Sequence, residues 1–162
     1  MKCWSRIVLL GYLSATLSGC AASGKLYEPR VLSNKSNALI YVLRSKLDEG
    51  EVLDPPIVYI GGHEIAALRK GGYTVVEVTP GHTTIQMKSA FLSVATYTGA
   101  AIDLEAEPGK TYYLGVRWYR PSPDYIVIGG DPYRLELLEN EERAAYELRS
   151  YRLQPSKLEV IE

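Results

Sequence analysis

Short apolar runs separated by Gly and Pro dominate the chain from residue 38 onwards. Ala38–Arg44 is almost continuously apolar and rich in residues that favour strands, which predicts a buried strand. Thr83–Lys88 instead alternates in character, which indicates a strand with two different faces. Because such segments recur at short, regular spacing, the pattern predicts a mainly β fold, a single antiparallel β-sandwich over residues 38–154.

Gly and Pro also mark the turns between these strands. Gly61-Gly62 is compatible with positive φ and predicts a hairpin. Pro80-Gly81 and Pro108-Gly109 each combine the fixed φ of Pro with a Gly that can take positive φ, so they predict two hairpins built alike. The remaining predicted strands are Ile57–Ile60, Ile65–Leu68, Tyr73–Val78, Ile102–Ala106, Thr111–Tyr119 and Tyr133–Leu138.

One short helix is expected after the last strong strand. Asn140 can cap a helix that runs to about Ser150. Glu139 and Arg143 have the spacing of a helical ion pair. A narrow apolar stripe that can dock on the sheet is supplied by Ala144, Leu148 and Tyr151. The tail over residues 155–162 is predicted to be frayed or to form an added edge strand.

The first twenty residues follow a different order: basic, then apolar, then small residues before a cysteine. Residues 1–6 carry two basic side chains, and residues 7–17 form an apolar run that is too short for a ~20-residue membrane span. Leu17-Ser18-Gly19-Cys20 closes the run, and its small second and third residues give a signal peptidase access to the bond before the cysteine. The arrangement resembles the signal of bacterial lipoproteins.

This resemblance implies that residues 1–19 are a cleaved signal peptide and that Cys20 carries a covalent diacylglycerol and further acyl chains such as palmitate. Ala21 follows the cysteine, which in Gram-negative lipoproteins implies sorting to the outer membrane, facing the periplasm. The inner membrane and the cell surface stay open as alternatives. Residues 20–37 have no apolar period and contain several Ser and Asn residues with one Gly and one Pro, so they are predicted to form a flexible tether.

Cysteine and charge content exclude several classes of protein. Cys3 falls within the signal and the thiol of Cys20 would be linked to lipid, so neither a disulfide framework nor a cysteine metal site is expected. The formal charge of the whole chain is −1, and removal of Lys2 and Arg6 with the signal makes the domain more acidic. This balance argues against nucleic acid as a partner and against a polybasic membrane patch.

Two histidines are the candidates for catalysis or metal binding. His63 and His82 each lie in a predicted turn, and neither has a second His or Cys at metal-ligand spacing. The chain also lacks a Gly-x-Ser-x-Gly elbow. We therefore expect no catalytic residue, no metal and no cofactor besides the lipid on Cys20. An envelope hydrolase that uses one of these histidines is the enzymatic alternative.

Aromatic residues in Thr111–Tyr119 provide one candidate recognition surface. If this segment is a strand, Tyr113, Arg117 and Tyr119 share one face, and two Tyr rings with an Arg can stack on a sugar or grip a peptide. The opposite face would be a core stripe of Tyr112, Leu114, Val116 and Trp118. The alternative is a strand buried on both faces, with Arg117 extending to solvent.

The ordered set of strands and turns also carries a resemblance to one family. Its features here are Ile40–Arg44, Pro55-Pro56, Val58–Gly62, Leu68, Gly72-Tyr73, Pro80–His82, Pro108–Tyr113 and Leu137–Leu148. From about residue 38 to residue 153 the chain resembles bacterial lipoproteins built on the domain of unknown function 2846, akin to the PEGA-type β-sandwich. That resemblance implies a fold and a compartment but no activity.

These observations lead to one expectation for function and one alternative. We expect a lipid-anchored cell-envelope protein that faces the periplasm and acts as a non-catalytic binding or scaffold module. Its expected partners are the membrane, through the lipid, and an envelope protein. The alternative within binding is a module that recognises cell-wall glycan through Tyr113, Arg117 and Tyr119.

Overall fold

The computed structural model describes residues 22–47, 55–88, 100–118 and 133–161. Within these ranges the chain forms ten strands and one helix. They are β1 (Ala38–Arg44), β2 (Ile57–Ile60), β3 (His63–Ala67), β4 (Gly72–Val78), β5 (Gly81–Lys88), β6 (Ala101–Ala106), β7 (Thr111–Trp118), β8 (Tyr133–Leu137), α1 (Glu141–Leu148), β9 (Arg152–Leu153) and β10 (Val160–Ile161). Each strand predicted from the sequence is present.

The strands form two sheets, which confirms the predicted mainly β fold with one short helix near the C-terminus. The larger sheet has the order β10-β4-β1-β7-β8, with β9 also pairing β4, and the smaller has the order β3-β2-β5-β6. Pairing is not antiparallel throughout, because β1 runs parallel to β7 at the centre of the larger sheet. Between these two strands the chain forms β2 and β3 of the smaller sheet, β4 of the larger sheet, and then β5 and β6 of the smaller sheet.

The turns explain this topology. The hairpin predicted at Gly61-Gly62 is confirmed: it joins β2 to β3, with φ of 57° and 83° at the two glycines. The two other predicted hairpins are wrong. Gly81 and Gly109 do take positive φ, but their turns carry the chain from β4 to β5 and from β6 to β7, that is, from one sheet to the other. A Pro-Gly pair specifies a reversal of the chain, not the sheet to which the next strand belongs.

The main core lies between the two sheets. On β1, alternate residues Ala38, Ile40 and Val42 enter this core, where they join side chains of β2, β4, β5 and β7. The intervening residues of β1 point to the outer face of the larger sheet, where they enter a second core. A central strand with both faces covered has no exposed side, and this is why Ala38–Arg44 reads as a continuous apolar run.

The second core is covered by α1 and by residues 22–37, which we call the N-terminal strap. The buried members of this core are Leu39, Tyr41, Leu43, Tyr73, Val75, Tyr113, Ala144, Leu148 and Tyr151, and Tyr27 and Leu32 of the strap pack against them. The prediction of a flexible tether over residues 20–37 is therefore wrong for residues 22–37. The strap lacks an apolar period because only single side chains anchor it.

The C-terminal region closes the same outer face. Asn140 caps α1 as predicted, since its side chain accepts a hydrogen bond from the Arg143 N–H at 2.8 Å. The ion pair of Arg143 within the described residues is made with Glu147, at 3.1 Å, rather than with Glu139. Beyond the helix, β9 and β10 both pair with β4 in parallel, so the tail does add to a sheet edge. No helix in the described ranges is long and apolar enough to cross a bilayer.

Candidate functional site

The predicted recognition surface is not assembled in the part of the chain that the structure describes. Tyr113 is buried, and its ring stacks on that of Tyr41 with centroids 5.2 Å apart. Burial, followed by the influence of Tyr27 and Tyr41, raises the pKa of the Tyr113 hydroxyl above its ordinary value. The strand alternation was predicted correctly, but this face is covered by the strap and α1, so Tyr113 belongs to a core and not to an exposed surface.

Of the other two residues of that predicted surface, the structure describes only Arg117. Arg117 is exposed on β7, and its guanidinium lies 3.5 Å from the carboxylate of Glu136 on β8. Tyr119 lies outside the described residues. On the opposite face of β7, Leu114 and Val116 enter the main core as predicted.

His82 lies beside two carboxylates on the outer face of the smaller sheet. It is the second residue of β5, not part of a turn, and the β5–β6 register places it directly opposite Glu105. Its Nδ1 lies 3.0 Å from the Glu105 carboxylate, and its Nε2 lies 3.7 Å from that of Asp103. Thr84 donates a hydrogen bond to Asp103 at 2.6 Å.

This histidine cluster is open rather than concave. The side chains of His82, Asp103 and Glu105 are 62%, 68% and 76% exposed, so water reaches each group. His63 is also exposed, at the first position of β3. Among the described residues, no group of three or more His, Cys, Asp or Glu is arranged to hold a metal ion. A histidine with carboxylate neighbours on an open sheet has no wall to hold or desolvate a substrate.

The strap is fixed at its beginning by backbone hydrogen bonds. Ala22 is buried, and its N–H donates to the carbonyl of Lys70 at 3.3 Å. Further along, the carbonyl of Lys25 accepts from the Leu153 N–H at 2.7 Å, and the Tyr27 N–H donates to the carbonyl of Tyr151 at 3.1 Å. The strap thus joins the β3–β4 turn and β9 within its first six residues.

A buried carboxylate holds the other end of the strap. Glu77 of β4 is inaccessible to solvent and accepts hydrogen bonds from the Ser33 N–H and hydroxyl, the Asn34 N–H and the Asn37 side-chain amide, all at 2.8–3.0 Å. Burial by itself raises the pKa of a carboxyl, but these donors outweigh it and lower the pKa of Glu77 to about 2. The sequence offered no signal for this contact, because its partners are some forty residues apart.

Four tyrosines lie between these two attachment points. The Tyr27 ring contacts those of Tyr41 and Tyr73 edge-on, with centroids 5.9 and 5.6 Å apart. The Tyr41 hydroxyl accepts a hydrogen bond from the Arg30 N–H at 3.0 Å. Burial, the largest influence, raises the pKa of Tyr41 to about 12. Together with Tyr113, these rings form a packed layer. Each ring buries apolar surface and contacts its neighbours at a favourable angle, and both effects stabilise the layer.

A groove of about 670 Å³ opens where β1 and α1 end. It is lined by Ser45, Lys46, Leu47, Tyr146, Glu147, Arg149, Ser150 and Tyr151. Two of its apolar residues are unusually accessible, Leu47 at 89% and Tyr146 at 69%. The ammonium of Lys46 lies 5.7 Å from the Tyr151 ring centroid, and the guanidinium of Arg149 lies 5.6 Å from that of Tyr146. The groove was not predicted from the sequence. One signal was present, because Tyr146 lies outside the apolar stripe of α1, where an exposed position is expected.

Leu17, Ser18, Gly19 and Cys20, the residues of the predicted lipidation signal, lie outside the described residues, so lipidation stays a prediction. The first described residue, Ala22, follows Cys20 by two positions.

Comparison with known proteins supports the family inferred from the sequence. No curated protein matches the chain. The model of the family described as protein of unknown function (DUF2846) matches residues 34–130, a range that begins in the strap and includes β1 to β7. Leu137–Leu148, the C-terminal segment of the resemblance, lies beyond the match. Since the match covers more than half of the sequence, this chain belongs to the DUF2846 family.

Proposed function

We propose that this protein is a lipid-anchored component of the bacterial cell envelope whose β-sandwich acts as a non-catalytic binding or scaffold module. The observation that carries the proposal is the order of residues 1–20, a basic segment, an apolar segment and Leu17-Ser18-Gly19-Cys20. Placement in the outer membrane, facing the periplasm, is supported by Ala21 after the cysteine.

The chain that follows the proposed cleavage site is part of the folded domain from Ala22 onwards. Ala22 is buried against the β3–β4 turn, and every element of the two sheets follows it in sequence. Acyl chains on Cys20 would supply the membrane attachment, since two chains are enough for stable anchoring.

A binding or scaffold role is supported by the surface rather than by a reactive centre. The cluster around His82 is open to water, and the buried carboxylate of Glu77 is used to hold the strap. The strands hold their exposed polar side chains in fixed positions, and a rigid surface of this kind suits contact with another macromolecule.

Metabolic labelling with an alkyne fatty acid tests the lipid anchor. We expect the wild-type chain, produced in a Gram-negative host, to take up the label and to migrate as a processed form. Cys20→Ala should lose both the label and the processing, whereas Cys3→Ala, the matched control, should keep both. Label that persists in Cys20→Ala, or that is lost in Cys3→Ala, would contradict the proposal.

Photo-crosslinking in cells tests the binding or scaffold role. A crosslinker would replace Glu105 on the smaller sheet or Arg117 on the larger sheet, both exposed, with the buried neighbours Leu104 and Val116 as controls. A discrete adduct at an exposed position and not at its buried neighbour is the expected result. Absence of adducts at both exposed positions would count against a partner on either sheet.

A further inference from the structure

The strap leaves very little free chain between the domain and the proposed lipid. Ala22 is buried and hydrogen-bonded to Lys70, so the domain is attached from this residue onwards. Only Ala21 separates it from Cys20, and an extended chain spans at most about 3.5 Å per residue. A lipid on Cys20 would therefore hold Ala22 within about 7 Å of the site of acylation.

The surface next to Ala22 is the end of the sandwich that carries the groove. Gly71 follows Lys70 and packs closely against the side chain of Lys46, a residue of the groove. The Gly71 carbonyl accepts from the Arg152 N–H at 2.9 Å, which brings the residues after α1 to the same end. A membrane that lies within reach of Ala22 thus also lies next to the groove.

The exposed side chains at this end have the chemistry of a membrane interface. Leu47 and Tyr146 present apolar and aromatic surface to the outside of the domain. Lys46 and Arg149 have long apolar stems with charged ends, and each lies against a Tyr ring of the groove. Amphipathic aromatic rings and basic side chains of this kind are enriched where proteins meet lipid headgroups.

The described side chains of this end carry charges that suit anionic headgroups. Among the described residues, Lys46, Arg149 and the nearby Lys70 are positive, and Glu147, the acidic residue among those that line the groove, forms an ion pair with Arg143. The net charge of the chain argued against a polybasic patch, but it does not show how the charges are distributed over the surface. The fold brings these basic residues to one end of the sandwich from the segments that follow β1 and α1 and from the β3–β4 turn.

We propose that the sandwich is held end-on against the bilayer, with the groove of Leu47 and Tyr146 and the basic side chains around it in contact with anionic phospholipid headgroups. This inference rests on the proposed lipid anchor at Cys20. The opposite end of the domain, where β7 begins and Lys110 is exposed, then points away from the membrane.

Depth-dependent fluorescence quenching tests this orientation. The processed chain has no free thiol when Cys20 is acylated, so Leu47→Cys, Tyr146→Cys and Lys110→Cys each provide a single site for a dye. The purified full protein, its lipid confirmed by intact mass, is placed in vesicles of phosphatidylethanolamine and phosphatidylglycerol with headgroup spin labels. We expect loss of fluorescence at positions 47 and 146 and no loss at position 110. Equal quenching at all three positions, or quenching at position 110 alone, would overturn the inference.

A second measurement tests the charges. The double variant Lys46→Glu with Lys70→Glu should lose the quenching at position 47, whereas Lys35→Glu with Lys110→Glu at the opposite end should retain it. Retention of quenching in the first variant, or undiminished quenching in vesicles of phosphatidylcholine alone, would overturn the role of anionic headgroups.

The possible failures can be told apart. A purified protein without lipid that does not float with vesicles would contradict the anchor at Cys20. A lipidated, floating protein that shows no quenching at position 47 would contradict the orientation alone. If a photo-crosslinker at position 47 also yielded one discrete protein adduct in cells, the surface would belong to a protein partner and the membrane inference would be wrong.

Discussion

Gly24 in the strap lies so close to Leu153 in β9 that a Cβ atom on Gly24 would stand 1.8 Å from the Leu153 carbonyl oxygen. The approach is made by backbone on both sides. The Leu153 N–H donates to the carbonyl of Lys25, and the Arg152 guanidinium donates to the carbonyl of Gly24 at 3.0 Å. Glycine is therefore required here by lack of space and not by an unusual φ.

Gly24→Ala should detach the beginning of the strap, because the added methyl group can be accommodated only if the two backbones separate. We expect faster amide hydrogen exchange and faster protease cleavage within residues 22–30, with the sheets retained. Ser23→Ala is the matched control, since Ser23 is the exposed neighbour and should leave both rates unchanged. Exchange rates that are the same in the two variants would show that the close approach does not hold the strap.

Glu77→Gln should destabilise the protein by about 2 kcal/mol, because the substitution replaces an acceptor of four charge-assisted hydrogen bonds with an amide whose NH₂ faces donors. Urea unfolding of residues 21–162, followed by circular dichroism, measures the change. Glu136→Gln provides the control, since that carboxylate is partly exposed and pairs with Arg117 at the surface. If Glu136→Gln lowered the free energy of unfolding as much as Glu77→Gln, the burial of Glu77 and its hydrogen bonds to the strap would not explain the loss.

The same carboxylate predicts how stability depends on pH. The pKa of Glu77 is lowered from 4.5 to about 2 in the folded protein, so the unfolded chain binds a proton more readily than the folded chain. The contribution of Glu77 is thus fully present above pH 4.5 and is lost as the pH falls towards about 2. Urea midpoints of the wild type and of Glu77→Gln should converge over this interval. A constant difference between them down to the lower limit would mean that Glu77 is not charged in the folded protein.

The strands could be predicted from the sequence because their signals are local. Ala38–Arg44 is apolar on both faces and β4 lies between turns, and neither statement requires knowledge of the partner strand. The pairing of β1 with β7 could not be predicted, since it depends on the change of sheet at the turns of Gly81 and Gly109.

The strap and the covered face were missed for a related reason. Glu77, Ser33 and Tyr27 are single residues whose contacts lie far away in sequence, and no periodic pattern marks such contacts. For Tyr113 the strand alternation predicted the correct face, but whether that face is exposed depends on what covers it. The cover comes from the strap and from α1, at the two ends of the domain sequence.

The two residues from the predicted recognition surface that the structure describes should respond oppositely to substitution. Tyr113→Ala removes a buried ring that stacks on Tyr41, so we expect a loss of roughly 3–5 kcal/mol in the free energy of unfolding. Arg117→Ala removes an exposed side chain with a surface ion pair, so its effect should stay within about 1 kcal/mol. Urea unfolding of both variants measures these values, and Tyr113→Leu, which retains part of the buried volume, should fall between them. If Tyr113→Ala unfolded like the wild type, the ring would not be part of the second core, and an exposed aromatic face would again be the better interpretation of β7.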